Sequence, residues 1–177
     1  MNKEYKALIS RYIKAKDESK PHLMTSVFSE ESTLRMKVQT DNISFPSEVS
    51  GLDEITETLV RGFNQSYENI YTVCLSDTVE QCEDTLSCRW LVGMTEKASG
   101  LSRVGFGDYQ WSFDGECPNR VSHLTILIED MIVLPLEDQA EVMSWFDNLS
   151  YPWALSSEVV ASVPNIAILA NVRGLTA

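Results

Sequence analysis

Basic residues are scarce in this chain. Its 177 residues carry 14 Lys and Arg against 26 Asp and Glu, a net charge of −12. Affinity for nucleic acid comes mostly from neutralising phosphates with Lys and Arg, and no basic stripe is present, so DNA and RNA are not expected partners. Anionic membrane surfaces are excluded on the same ground. No uninterrupted apolar run approaches the roughly 20 residues that a membrane helix needs. The segment Met1 to Lys6 is charged and lacks the apolar stretch of a signal peptide, so a cytoplasmic location is expected. Histidine is limited to two residues, and Cys74, Cys82, Cys88 and Cys117 have no C-x-x-C spacing. Neither a zinc site nor a thioredoxin-type redox role is signalled, and no cofactor motif stands out. Free thiols are expected, with pairing of Cys74 or Cys82 to Cys88 across a hairpin as the alternative.

What is present is a chain long enough to bury a substantial core, with 44% apolar residues. Tyr5, Leu8, Ile9, Tyr12 and Ile13 recur at helical spacing and form one apolar stripe, with Lys6, Arg11, Lys14 and Lys16 read as lying mostly off it. Pro21 opens a second short helix carrying Leu23, Met24, Val27 and Phe28. Thr33 to Thr40 alternates as a short strand, and Asp41 to Ser50 reads as a loop. Ser50-Gly51-Leu52-Asp53 fits a capping box ahead of a helix whose buried face is Leu52, Ile55, Leu59 and Phe63.

From Tyr67 onward the period changes to two. Strands are expected over 67–78, 86–97, 103–113 and 121–134, joined by turn-rich connections too short for crossover helices, and hence antiparallel. Helices first and long strands afterwards point to an α+β fold in which a strongly bent, mostly antiparallel sheet wraps around the N-terminal helices. Such a shape encloses a pocket. Pro135 ends the last strand, and Leu136, Ala140, Met143 and Phe146 continue as a short helix. The chain divides into a domain over 1–148 and an extension over 149–177. That extension is too apolar for a disordered linker, so it packs on the domain or on a partner subunit. Trp145 and Trp153 read as anchors for it or as an interface.

Few residues carry recognisable chemistry. His123, inside the fourth long strand, titrates near neutral pH and could act as a general base; it reads equally as a half-exposed histidine on the polar face of its strand. Asp130, counted onto the opposite, apolar face with Ile126, Ile128 and Ile132, would be desolvated there and suited to proton transfer. If the strand bulges, it meets solvent or Arg89 instead. Gly105 and Gly107 alternate with Tyr109, Trp111 and Phe113. They mark either a bend of the sheet or an open space walled by Tyr109, Trp111, Trp90 and Met94, fit for an apolar or aromatic ligand. Tyr12 either points its hydroxyl into that space or belongs to the core.

Several of these segments together resemble the NTF2-like superfamily, and within it the SnoaL-like group. The Tyr5–Ile13 helix, the Leu23–Phe28 segment running into a strand, Gly51-Leu52-Asp53-Glu54-Ile55 as a "G-x-x-x-I" helix start, and Trp111-Ser112-Phe113-Asp114 with Arg120-Val121 as the closing hairpin carry the likeness. The resemblance implies a cone-shaped α+β fold with a cavity between sheet and helices, and frequent homodimers. It implies no single activity, because the group spans isomerases, cyclases, dehydratases, hydrolases and pure binding or assembly domains. The acidic base that ketosteroid isomerase-like members carry after the second helix is absent from Leu34-Arg35-Met36-Lys37, and the family's closing "G-K-I" is Asn119-Arg120-Val121 here. The expected function is binding of a small organic molecule, with cofactor-independent isomerisation, cyclisation or dehydration if the protein is an enzyme. The alternative is a non-catalytic ligand-binding or assembly module.

Overall fold

The computed structural model describes residues 2–116 and 118–175. Helix α1, Lys3–Asp17, starts where Asn2 Oδ1 accepts the Glu4 N–H at 2.8 Å. It buries Tyr5, Leu8, Ile9, Tyr12 and Ile13, as the stripe predicts, and also Lys16. Lys16 follows Tyr12 by four residues and Ile13 by three, so it extends the apolar stripe rather than lying off it. A 3₁₀ turn, Pro21–Ser26, leads into strand β1, Phe28–Val38, longer than the alternation suggested.

Strand β2, Glu48–Ser50, pairs with β1 where a loop was expected. The capping box does not form. Gly51, at φ 91°, is the N-cap of α2, Leu52–Thr56, and no side chain caps it. The helix runs on through a π turn, Glu57–Arg61, into α3, Gly62–Ser66. Leu52, Ile55, Leu59 and Phe63 are all buried.

Strands β3, Tyr67–Leu75, β5, Thr85–Glu96, β6, Ser102–Phe113, and β7, Val121–Leu134, are the four long strands read from the sequence. A short strand β4, Glu80–Cys82, hairpins onto the start of β5. With β8, Trp153–Ala154, the sheet runs β2-β1-β7-β6-β5-β3-β8. The long neighbours are antiparallel, while β1 lies parallel to β7 and β8 parallel to β3.

Each face of the sheet builds a core. On the inner face, the helices pack with Leu34, Met36, Trp90, Val92, Met94, Tyr109, Ile126 and Ile128. On the outer face, α4, Gln139–Asp147, α5, Ser156–Ser162, and a 3₁₀ segment, Ala167–Gly174, cover Val73, Leu75, Leu91, Val104, Phe106, Ile132 and Leu134. The apolar C-terminal residues Val159, Leu169 and Val172 are fully buried there. Trp145 donates to Ser162 Oγ at 3.1 Å and Trp153 to Ser10 Oγ at 2.9 Å, so both indoles dock the extension onto its own chain.

The sheet bends at a bulge in β7. Gly107 pairs with Ile128 and Phe106 with Asp130, which leaves Glu129 as an extra residue. A Cβ on Gly107 would lie 1.9 Å from the Leu127 carbonyl oxygen, so only glycine fits opposite the bulge. A Cβ on Gly105 would meet the Met131 methyl at 2.4 Å and its sulfur at 2.8 Å, with a Val92 methyl at 3.2 Å. The space expected above these glycines is thus filled, by bulged backbone at one and by a thioether at the other. Gly107→Ala should cost about 3 kcal/mol or more in urea denaturation, because backbone must move. Gly105→Ala should cost about 1 kcal/mol or less, because a flexible methionine yields. Equal costs would contradict this account of the bend.

Candidate functional site

The inner core is not filled completely. Between the helices and the sheet lies a cavity of about 40 Å³, lined by Tyr12, Lys16, Met36, Phe63, Trp90, Met94, Tyr109, Met131 and their aliphatic neighbours. Ile43 and Phe45, from the loop between β1 and β2, also line it. That loop is fastened at Asn42, whose side-chain amide donates to the Met131 carbonyl at 2.7 Å and whose carbonyl accepts from Arg103.

The walls are apolar except for Tyr12 and Lys16 of α1, Thr72 of β3, and the polar tips of Trp90 and Tyr109. Tyr12 is fully buried, and its hydroxyl lies beside that of Tyr109 without making a well-formed hydrogen bond to the protein. The Trp90 indole N–H, on the facing strand, is likewise without one. Trp90 stacks on Tyr109, ring centroids 5.5 Å apart, and Tyr109 meets Tyr12 edge-on at 6.2 Å. Burial pushes both phenol pKa values well above the usual tyrosine range, so each hydroxyl keeps its proton at neutral pH and stays a donor.

Beside them lies a buried ion pair. Lys16 Nζ is 2.8 Å from Asp17 Oδ1 and 2.7 Å from Thr72 Oγ1, and the two charged side chains are only 7% and 2% exposed. The ammonium also sits 4.9 Å from the Phe63 ring centroid. Asp17 accepts three further bonds: from the Thr72 hydroxyl at 2.9 Å, the Thr72 N–H at 2.6 Å and the Tyr151 hydroxyl at 3.1 Å. Sequence reasoning missed Lys16, Asp17 and Thr72. The available signal was the position of Lys16 on the apolar stripe, where an unpaired charge would be too costly to bury.

Of the residues singled out from the sequence, Tyr12, Trp90, Met94 and Tyr109 line the cavity. Trp111 does not. It is buried behind the wall, 5.3 Å from the Tyr12 ring and 5.3 Å from the Tyr109 ring. His123 is on the opposite face of the sheet, in an outer groove of about 620 Å³ with Ser87, Gln110, Ser112 and Thr125. Its Nδ1 is 2.6 Å from Thr33 Oγ1 and its Nε2 3.0 Å from Thr125 Oγ1. Burial, aided by Arg35, lowers the His123 pKa, so the ring is neutral at pH 7.

Asp130 does not share a face with Ile126 and Ile128. The extra residue at Glu129 reverses the alternation, pairs Asp130 with Phe106 of the outer core, and leaves its carboxylate accepting the Met131 N–H at 2.8 Å. Glu129 reaches Arg89 at 2.8 Å. Cys74 and Cys88 are buried free thiols and Cys82 an exposed one, while Cys117 lies outside the described residues. Among the described residues no cluster of three His, Cys, Asp or Glu side chains could hold a metal, and no helix is long and apolar enough to cross a membrane.

A hydroxyl without a well-formed hydrogen bond to the protein adds nothing to stability. Tyr12→Phe should therefore leave the unfolding free energy unchanged within about 0.5 kcal/mol, or raise it. A loss above about 1 kcal/mol in urea denaturation would show that the hydroxyl has a structural role.

No protein-family model and no curated protein matches this chain. Solved structures do. An NTF2-like protein from Burkholderia thailandensis is 15% identical with a TM-score of 0.54, covering 81% of this chain and 98% of its own. A ketosteroid isomerase-like protein from Erwinia carotovora is 13% identical with a TM-score of 0.54, covering 73% and 99%. A hypothetical protein with a ketosteroid isomerase-like fold from Catenulispora acidiphila, solved in complex with trimethylamine, is 12% identical with a TM-score of 0.54, covering 67% and 82%. At these identities the likeness is one of fold. The helices and the bent mixed sheet are those of the NTF2-like fold, and this chain adopts it.

Proposed function

We propose that the protein binds a small apolar or aromatic molecule in the inner cavity and presents the Tyr12 and Tyr109 hydroxyls to a hydrogen-bond acceptor on it. The observation that carries this reading is the Tyr12 hydroxyl, fully buried at the wall of an apolar cavity beside the Tyr109 hydroxyl and without a well-formed hydrogen bond to the protein. Buried polar groups are nearly always satisfied, and at the wall of a cavity an incoming molecule can supply the missing bond. The trimethylamine complex of a protein with the same fold adds support for a small ligand. Placement in the SnoaL-like group belongs to the same proposal and rests on the sequence resemblance.

The free space of about 40 Å³ sets the size class. It is far below the roughly 300–1,000 Å³ of a drug-sized site and below the roughly 150 Å³ that takes a benzene ring, so a single ring enters only as the walls give way. Met36, Met94 and Met131 line it, and their flexible thioethers let the walls adjust.

Binding without chemistry fits these residues better than acid/base catalysis. The ionisable groups lining the cavity are Tyr12, Lys16 and Tyr109. Both tyrosines are held protonated, and Lys16 is engaged by Asp17 and Thr72. The groups best suited to move a proton, His123 and Asp130, face away. An isomerase or dehydratase would need a base inside the cavity to work with the tyrosine donors.

Labelling the methionine methyls with ¹³C tests the reading directly. Titration with cyclohexanone should shift Met36, Met94 and Met131 saturably and leave Met143, on the outer face, unmoved. Absence of shifts up to the solubility limit, or shifts led by Met143, would overturn it.

A further inference from the structure

Resting on the pocket reading above, we propose that Asp17 sets the charge selectivity of the cavity. By cancelling the charge of Lys16, it makes the site one for neutral hydrogen-bond acceptors, such as ketones, aldehydes, esters or amides, and closes it to carboxylates.

Lys16 alone would suggest the reverse. An ammonium at the polar end of an apolar cavity is the usual anchor for an acid. Here the ammonium is matched inside the fold. Its side chain and that of Asp17 are 7% and 2% exposed, and they meet at 2.8 Å. An incoming carboxylate would lose its hydration and gain no net positive charge in return, with the Asp17 carboxylate 2.8 Å from the ammonium.

A neutral acceptor loses far less on entering. Of the three N–H groups of Lys16, one goes to Asp17 and one to Thr72 Oγ1, which leaves one without a hydrogen-bond acceptor, on a side chain that lines the cavity and lies over the Phe63 ring. With the Tyr12 hydroxyl, one helical turn earlier on α1, that makes two donors among the residues lining the cavity. The carboxylate of Asp17 has no such spare capacity turned inward. Its two oxygens accept from Lys16, the Thr72 hydroxyl, the Thr72 N–H and Tyr151, so it neither repels nor recruits except through Lys16. The polar end therefore donates and carries no net charge.

The test is a matched pair of single-ring probes, cyclohexanone and cyclohexanecarboxylate, titrated calorimetrically at pH 7.5. Wild type should bind the ketone at least tenfold more tightly. Asp17→Asn keeps the shape but leaves Lys16 uncompensated, and should raise carboxylate affinity at least tenfold, past that of the ketone. A second measurement needs no variant and covers failure of that one to fold. For wild type, apparent affinity for the acid should fall tenfold per pH unit above the acid's own pKa, because only its neutral form enters, while ketone affinity stays flat. Wild-type preference for the carboxylate, an unchanged order in folded Asp17→Asn, or a pH-independent affinity for the acid overturns the selectivity proposal alone. Failure of wild type to bind either probe overturns the pocket reading and this proposal with it.

Discussion

The carboxylate of Asp17 joins parts of the chain that are far apart in sequence. Almost fully buried, it has to be satisfied within the fold. It is satisfied from three places: Lys16 beside it at the end of α1, Thr72 in the middle of β3, and Tyr151 at the start of the C-terminal extension. Each partner has its own consequence. Pairing with Lys16 lets an ammonium sit on the apolar face of α1. Pairing with Thr72 fixes that helix end against the sheet. Pairing with Tyr151 ties the extension to the same point, which Trp153 reinforces by donating to Ser10. The polar end of the cavity exists because this one carboxylate is held there.

The sheet supplies the other constraint. Its inner face holds donors and aromatic rings in an apolar wall, and its outer face is divided between the docked C-terminal helices and a polar groove around His123. The bulge at Glu129 maintains this division, because it turns Asp130 outward at the point where the last strand passes from one half to the other. The result is separation. Hydroxyls that keep their protons face the cavity, and the His123 imidazole, its pKa lowered by burial, faces away from it. That distribution suits holding a molecule better than transforming it.

Much of this fold was legible in the residues. Period-two alternation placed the four long strands to within about three residues, and the 3.6-residue stripe placed α1. The likeness to NTF2-like proteins, carried by weak motifs in the right order, agrees with the structures this chain resembles. The candidate site was half legible. Tyr12, Trp90, Met94 and Tyr109 are large residues on predicted inner faces, and periodicity finds such residues. Lys16 was overlooked because its charge was taken as proof of exposure, although its spacing said otherwise and Asp17 stood next to it. Asp130 was misplaced because alternation assumes a strand without an extra residue. Gly107, which admits no Cβ opposite the bulge, was the sign that the count would slip. Ser50 and Asp53 satisfied a capping pattern, but the backbone at Gly51 enters the helix through a positive φ that the pattern does not describe.

The central claim is that the inner cavity, and not the outer groove, is where this protein meets its ligand. A crystal structure grown in the presence of cyclohexanone tests it most directly. The account predicts ring density between Trp90 and Phe63, with the carbonyl oxygen within hydrogen-bonding distance of Tyr12 Oη. A cavity closed over by its methionines, with the ketone in the groove beside His123, would contradict it.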